Sequence, residues 1–379
     1  MYSKPKKIGT IEIKNRFVRS ATFEGMASED GYVTDKHLEL YKNLAKGGVG
    51  LIITGYSYVQ ESGKAFDKQL AVNTDDCVPG LCKIAEIVHE NGKDCKVALQ
   101  IAHCGRQSRI LENTIAPSAL EEKLTKKLPR EMTKEEIRDT IDAFAQAIRR
   151  AKEAGFDAVQ LHGAHGYLIT QFLSPYINKR TDDYGGSLEN RTRFLEEIYN
   201  KSVKMVGKEF PIFIKMNGVD FVEGGTTISE STEVAKRLER FGYAAIEVSA
   251  GIWEVALLKK KDLGWKSSFL PESRIFIGTM NEPAYNLTYA KEFKKVLKIP
   301  VILIGGINSL NLVENVLSSE SADFVSFSRP LIREPDLPNR WLRGFGSDKV
   351  ECIFCNGCLS TTVNLGLQCA KLHESHAGI

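Results

Sequence analysis

The sequence predicts a (β/α)8 barrel carrying a short cysteine-rich appendage at its C-terminus, and three observations carry that reading. Eight short β-branched or apolar runs recur along the 379 residues. Helical patterns or long loops separate them. The runs are mostly continuous rather than alternating, as parallel strands buried on both faces require. A doubly wound sheet is the alternative arrangement for such a pattern. With 42% hydrophobic residues the chain can fill one large barrel or two ordinary domains. No repeat or Gly/Ser linker appears before about residue 345, so residues 1–345 are read as the barrel and 346–379 as the tail.

In chain order the predicted strands are FVRS (17–20), GLIITG (50–55), KVALQI (96–101), DAVQLH (157–162), PIFIKM (211–216), AAIEVS (244–249), PVILIGG (300–306) and DFVSFS (323–328). The clearest helix follows the third strand. Thr133 and Glu136 form a capping box, Ile137, Ile141, Phe144, Ile148 and Ala151 recur at spacings of three and four, and Gly155 closes it.

Charge and composition narrow the partners. The 51 basic and 48 acidic residues leave a net charge of +3 with no like-charge block, which argues against nucleic-acid or membrane-surface binding and for a small-molecule partner. No apolar run reaches membrane-spanning length and the N-terminus lacks a signal peptide's apolar core, so a cytoplasmic location is expected. Eight cysteines in a reducing compartment are not expected to form disulfides.

In such a barrel the site lies where strands end and loops converge. The polar residues cluster there: Thr22, Gly55 with Tyr56, Gln100 with His103, and His162, His165 and Tyr167 at strands one to four. Lys215 with Asn217, Ser249 with Gly251, Gly305 with Gly306, and Ser328 with Arg329 follow at strands five to eight. Gly305 and Gly306 free backbone N–H groups, and Ser328 and Arg329 add a hydroxyl and a guanidinium. Barrels of this class build phosphate sites from these two loops. A phosphate-bearing cofactor is implied, although a tight turn also needs glycine and Arg329 also suits a surface ion pair. Lys215 at a buried strand end needs an anionic partner, which a reduced flavin or a structural ion pair would both supply.

The segments NRFVRSAT, DGYVTDKHLELYKNLAKGGVGLIITG, ALQIAHCGRQ, LHGAHGYLITQFLSPYINKRTDDYGGSLENRTRF and IGGI…SFSRPLIREP resemble the Old Yellow Enzyme family of FMN-dependent ene-reductases, over nearly residues 5 to 340. That resemblance implies FMN held by Ala21, Thr22, Gly55, Gln100, Lys215, Gly306, Ser328 and Arg329, with NAD(P)H as reductant. It also assigns the strand-four triplet. His162 and His165 can point N–H groups at one substrate oxygen and polarise an α,β-unsaturated carbonyl, and Tyr167 would protonate the α-carbon. A zinc pair or a helix-capping cluster are the other readings of two histidines, but no third ligand lies in step with them. Trp253, Trp265, Phe269 and Phe276 suggest an aromatic loop at 252–285 over the substrate face, with Trp253 touching an apolar enone or enoate. Cys77, Cys82, Cys95 and Cys104 have no metal-site spacing and read as ordinary thiols.

Cys352, Cys355, Cys358 and Cys369 are spaced C-x2-C-x2-C-x10-C and ask for a soft metal centre. They are similar to the [4Fe–4S] segment of the branch containing 2,4-dienoyl-CoA reductase and trimethylamine dehydrogenase, although the last gap is slightly shorter than that branch's pattern. A structural zinc is the alternative. An amine or ether dehydrogenase passing electrons through the cluster is therefore the second functional expectation. Members of that branch continue into nucleotide-binding domains, whereas this sequence ends at Ile379. Electrons are accordingly expected to enter directly at FMN or through an external carrier. SAGIWEVALL after strand six lacks the histidine that the dienoyl-CoA reductases carry there, which disfavours a dienoyl-CoA substrate. A homo-oligomer is expected.

Overall fold

The computed structural model describes residues 1–265, 273–275 and 283–372. Eight parallel strands close on themselves: β1 (Phe17–Arg19), β2 (Leu51–Ile53), β3 (Lys96–Ala102), β4 (Ala158–Gly163), β5 (Ile212–Asn217), β6 (Ile246–Ser249), β7 (Val301–Ile304) and β8 (Phe324–Phe327). Each pairs with the next, and β8 returns to β1 with Val325 opposite Phe17 and Ser326 opposite Val18. Closure leaves the barrel no unpaired edge. All eight predicted strands are present, most of them trimmed at their ends.

The principal helices surround the barrel: α1 (Asp35–Lys46), α2 (Val78–Asn91), α3 (Lys134–Glu153), α4 (Leu188–Val206), α5 (Ile228–Phe241), α6 (Leu287–Val296), α7 (Leu310–Ser318) and α8 (Leu337–Leu342). In α3 the Thr133 hydroxyl accepts from the Glu136 N–H at 3.2 Å, and the Glu136 carboxylate accepts from the Thr133 N–H at 2.9 Å, the expected capping box. Gly155 ends it with φ +81°, a conformation that side-chain-bearing residues avoid. No helix among the described residues is long and apolar enough to cross a membrane.

Side chains alternate along each strand, so inward and outward positions have separate fates. Outward residues such as Val97, Leu99, Val159, Leu161, Ile214 and Val248 pack under the helices in one large core. Inward residues at the strand starts, including Val18, Leu51, Ala98, Ala158, Phe213 and Phe324, form a second apolar cluster that fills the lower barrel. That cluster has a floor absent from the sequence reading. An N-terminal hairpin pairs Lys6–Ile8 with Ile11–Ile13 and inserts Ile8 and Ile13, both fully buried, beneath the barrel. Its turn residue Gly9 sits at φ +56°, and a Cβ there would approach Ala244 and Pro211 at 3.1 and 3.3 Å. The short Ile-Gly-Thr-Ile turn flanked by isoleucines was the available signal.

The hairpin's contribution is measurable. Ile13→Ala removes a buried side chain against a barrel that cannot collapse around it, and is expected to cost about 2–5 kcal/mol in denaturant unfolding. The exposed neighbour Glu12→Ala should cost under about 0.5 kcal/mol.

Candidate active site

Above the apolar layer the same inward positions turn polar. Two residues up each strand, Ala98 gives way to Gln100, Ala158 to Gln160, Phe213 to Lys215, Ala245 to Glu247 and Phe324 to Ser326. Two further on stand His162, Asn217, Ser249 and Ser328. This succession opens into a cavity of about 980 Å³, at the upper end of the size range for small-molecule and cofactor sites.

Ala21, Thr22, Gln100, His162, His165, Tyr167, Lys215, Trp253, Gly305, Gly306, Ser328 and Arg329 all line this cavity. Gly55 does not. Its N–H donates to Glu24 Oε1 at 2.7 Å, and a Cβ there would lie 1.9 Å from that carboxylate, so the glycine accommodates Glu24 rather than a ligand. His103 also turns away, accepting at Nδ1 from the Gly105 N–H at 3.0 Å. Trp265 packs on Phe221, with ring centroids 5.0 Å apart, and does not line the cavity. Phe269 and Phe276 lie outside the described residues.

The strand-four triplet forms one compact unit. The His162 and His165 rings meet edge to face with centroids 5.1 Å apart, and the Tyr167 ring lies 4.7 Å from His162. His165 has φ +62°, unusual for a residue with a side chain. Its N–H bonds to Asn217 Oδ1 at 3.2 Å, and its Nε2 lies 2.7 Å from Ser249 Oγ. Burial, reinforced by Lys215, holds the His162 imidazole well below its ordinary pKa, and burial with His162 and Lys215 does the same for His165. Both rings are therefore neutral near pH 7, each with an N–H to donate. The His162 Nδ1 atom is buried and has no hydrogen-bond partner among the described residues.

Tyr56, which the sequence reading placed on the rim without a role, belongs to this unit. The hydroxyls of Tyr167 and Tyr56 are 3.0 Å apart. Phe23, Tyr56, Phe66, Tyr167 and Trp253 then form a chain of aromatic contacts with centroids 5.2–6.3 Å apart. A fully buried pair, Arg106 with Glu254, ties the loop after β3 to the residue following Trp253.

The opposite end of the cavity is built from β1, β7 and β8. Thr22 Oγ1 and Ser328 Oγ are 2.7 Å apart, and Arg19 donates to the Ser328 carbonyl at 2.5 Å. Gly305 and Gly306 have φ +112° and +72°, and a Cβ on either would approach Tyr285 within 3 Å. Arg329 donates to Asn356 Oδ1 at 2.7 Å and stacks over Phe354 at 4.8 Å, so the tail completes the cavity wall. Backbone at Gly305 and Gly306 lines the cavity beside the Ser328 hydroxyl and the Arg329 guanidinium, a set of groups that fits the phosphate of a cofactor.

Cys352, Cys355, Cys358 and Cys369 line a separate cavity of about 180 Å³, bordered by Arg329 and Arg333. Among the described residues, no group of three or more His, Cys, Asp or Glu is arranged to hold a metal ion. Cys77, Cys82, Cys95 and Cys104 are free thiols in the barrel. Burial raises Cys95 to about 12 and pushes Cys104 higher, which leaves both unreactive.

The depressed histidines have a consequence for stability. An unfolded histidine takes up a proton below about pH 6.5, whereas the folded His162 does not, so its contribution is present above that pH and is lost as pH falls. His162→Asn should therefore reduce by about one the protons taken up on unfolding near pH 5, measured as a shallower pH dependence of denaturant stability.

The sequence matches the NADH:flavin oxidoreductase / NADH oxidase family over residues 3–345. It is 39% identical to an NADH oxidase of Thermoanaerobacter brockii over 96% of this chain and 54% of that protein. It is 37% identical to the NADPH dehydrogenase of Bacillus cytotoxicus, over 88% of this chain and 90% of that one. The fold superposes on 2-naphthoyl-CoA reductase complexed with 2-naphthoyl-CoA with a TM-score of 0.85 at 30% identity, covering 94% of this chain and 54% of that chain. The chain thus spans about half the length of the NADH oxidase and of the naphthoyl-CoA reductase, and most of the NADPH dehydrogenase. A match along nine-tenths of the sequence, on a barrel whose open end carries this cavity, makes the chain a member of the NADH:flavin oxidoreductase / NADH oxidase family of FMN-dependent oxidoreductases.

Proposed function

We propose that the chain is an FMN-dependent ene-reductase that draws hydride from NAD(P)H and delivers it to the β-carbon of an α,β-unsaturated carbonyl. The observation that carries this reading is the pair of neutral, mutually packed imidazoles of His162 and His165 beside the Tyr167 phenol. Gln100, Lys215, Ala21 and Thr22 would hold the ring of FMN, and Gly305, Gly306, Ser328 and Arg329 its phosphate. When bound, FMN supplies the hydride exchange between nicotinamide and substrate.

The residues of the chain supply the rest. Two buried, neutral N–H donors would favour a developing enolate oxygen without fully protonating it. Tyr167 would give the α-carbon its proton, a reading supported by its burial beside the two imidazoles and by its contact with Tyr56, through which the phenol could regain one. The aromatic chain from Phe23 to Trp253 suits an apolar substrate.

For the tail we propose a [4Fe–4S] cluster on Cys352, Cys355, Cys358 and Cys369, with a structural zinc as the alternative. The support is the C-x2-C-x2-C-x10-C spacing and the presence of all four cysteines on the wall of one small cavity with Arg329 and Arg333 at its edge, whose guanidinium groups would offset the charge of four thiolates. An external electron carrier could act there.

Tyr167→Phe is expected to slow reoxidation of the reduced enzyme by an enone about 10²- to 10⁴-fold in stopped-flow experiments, while reduction by NAD(P)H changes little. Equal loss in both half-reactions would show that Tyr167 is structural and remove the assignment. For the tail, metal analysis of anaerobically purified protein should give about four irons per chain with acid-labile sulfide. One zinc per chain would replace the cluster with a structural site, and neither metal would sink the proposal.

A further inference from the structure

Below the cavity floor lies a carboxylate to which the proposed chemistry gives no part. Glu247 is fully buried on β6, at the inward position between apolar Ala245 and Ser249. Three donors converge on it. Gln160 Nε2 reaches Oε2 at 2.9 Å, Ser326 Oγ reaches Oε1 at 2.7 Å, and Lys215 Nζ lies 3.4 Å from Oε2. Gln160, also fully buried, accepts at Oε1 from Gln100 Nε2 at 2.6 Å, and Lys215 donates to Ser20 Oγ at 2.8 Å. Ser20, Gln100, Lys215 and Ser326 line the cavity, whereas Gln160 and Glu247 lie behind them.

This arrangement fixes hydrogen-bond direction. A carboxylate only accepts, so the Gln160 amide must turn its NH2 toward Glu247 and its oxygen toward Gln100. Gln100 must then spend an N–H on Gln160, which leaves its own carbonyl oxygen, untouched by any described residue, for the cavity. A flavin's pyrimidine ring presents an N–H between two carbonyls and gains negative charge on reduction, so it needs an acceptor and a cation. Gln100 and Lys215 can offer that pair only while Glu247 holds both in place. The carboxylate also compensates the buried Lys215 ammonium, which would otherwise stand uncompensated in an apolar barrel.

We infer that Glu247 is a positioning residue that, through Gln160 and Lys215, sets both the hydrogen-bonding face and the net charge presented to the flavin ring. The inference rests on FMN occupying this cavity, and its test separates the two. Apoprotein is titrated with FMN, and the midpoint potential of the refilled protein is then measured against redox dyes. The wild-type chain is expected to take up FMN stoichiometrically, and failure to do so overturns the cofactor reading and this inference together. Glu247→Gln keeps the shape and removes the charge. Its potential should move to more positive values, because an uncompensated Lys215 favours the anionic reduced ring, and its affinity for oxidised FMN should fall about tenfold or more. Gln160→Leu cuts only the amide relay, so affinity should fall similarly without the positive shift. A merely structural Glu247 would lower the unfolding temperature and leave the potential where it was, which overturns the assignment. Should Glu247→Gln not fold, Gln160→Leu decides alone: wild-type FMN affinity in that variant overturns the relay, and a tenfold loss supports it.

Discussion

Closure of eight parallel strands is the constraint on which the remaining structure depends. Once β8 pairs with β1, each strand has one interior face and one face under the helices, and the two-residue repeat fixes which side chains go where. A one-residue slip in any strand would carry Lys215, Glu247 or His162 out of the barrel into the apolar shell beneath the helices. The cost of burying those groups unpaired makes that slip prohibitive. Register is thus enforced twice, by apolar side chains filling the lower barrel and by polar ones whose hydrogen-bond partners lie inside the upper barrel, such as Gln160 and Ser326 on Glu247.

The same constraint explains how much could be read from the sequence. Outward positions such as Leu99, Leu161 and Ile214 are apolar throughout, and inward positions low in the strands are apolar too. The lower strands therefore appear as the unbroken runs that suggested a barrel. The polar residues that interrupt those runs were assigned to the rim because strands end there, and this brought His162, His165, Tyr167, Lys215 and Arg329 to one place correctly. Gln160 and Glu247 escaped notice because each looks like an ordinary polar residue inside a strand. The signal was available in phase: each stands two residues before a rim residue, His162 and Ser249, and so shares its interior face. Gly55, assigned to FMN by the family resemblance, is the one residue of that set that does not line the cavity. Its glycine is required by the close approach of Glu24, a residue thirty-one positions away whose placement only the fold reveals.

The N-terminal hairpin shows a different limit. Its strands are three residues each, too short for periodicity to distinguish from loop, and its stability comes from what it plugs rather than from its own pairing. Ile8 and Ile13 are buried because the barrel has an open lower end, which is a property of the closed sheet and of no local segment.

The tail turns out to be less separate than its composition suggested. Val350 and Leu310 bond across to Asn308 and Asp348, and the Leu367 N–H donates to the Glu24 carbonyl at 2.8 Å, so residues from both ends of the appendage are pinned to the barrel. Arg329 stands between the two cavities and lines both. Its guanidinium is planar and carries five donors, so it can hold Asn356 and stack on Phe354 while still facing the end of the large cavity formed by Ser328 and Gly306. A lysine could supply the charge there but neither the stacking nor the fork. Through Asn356 and Phe354, Arg329 thus ties the cysteine segment to the wall of the large cavity that Ser328 and Gly306 form.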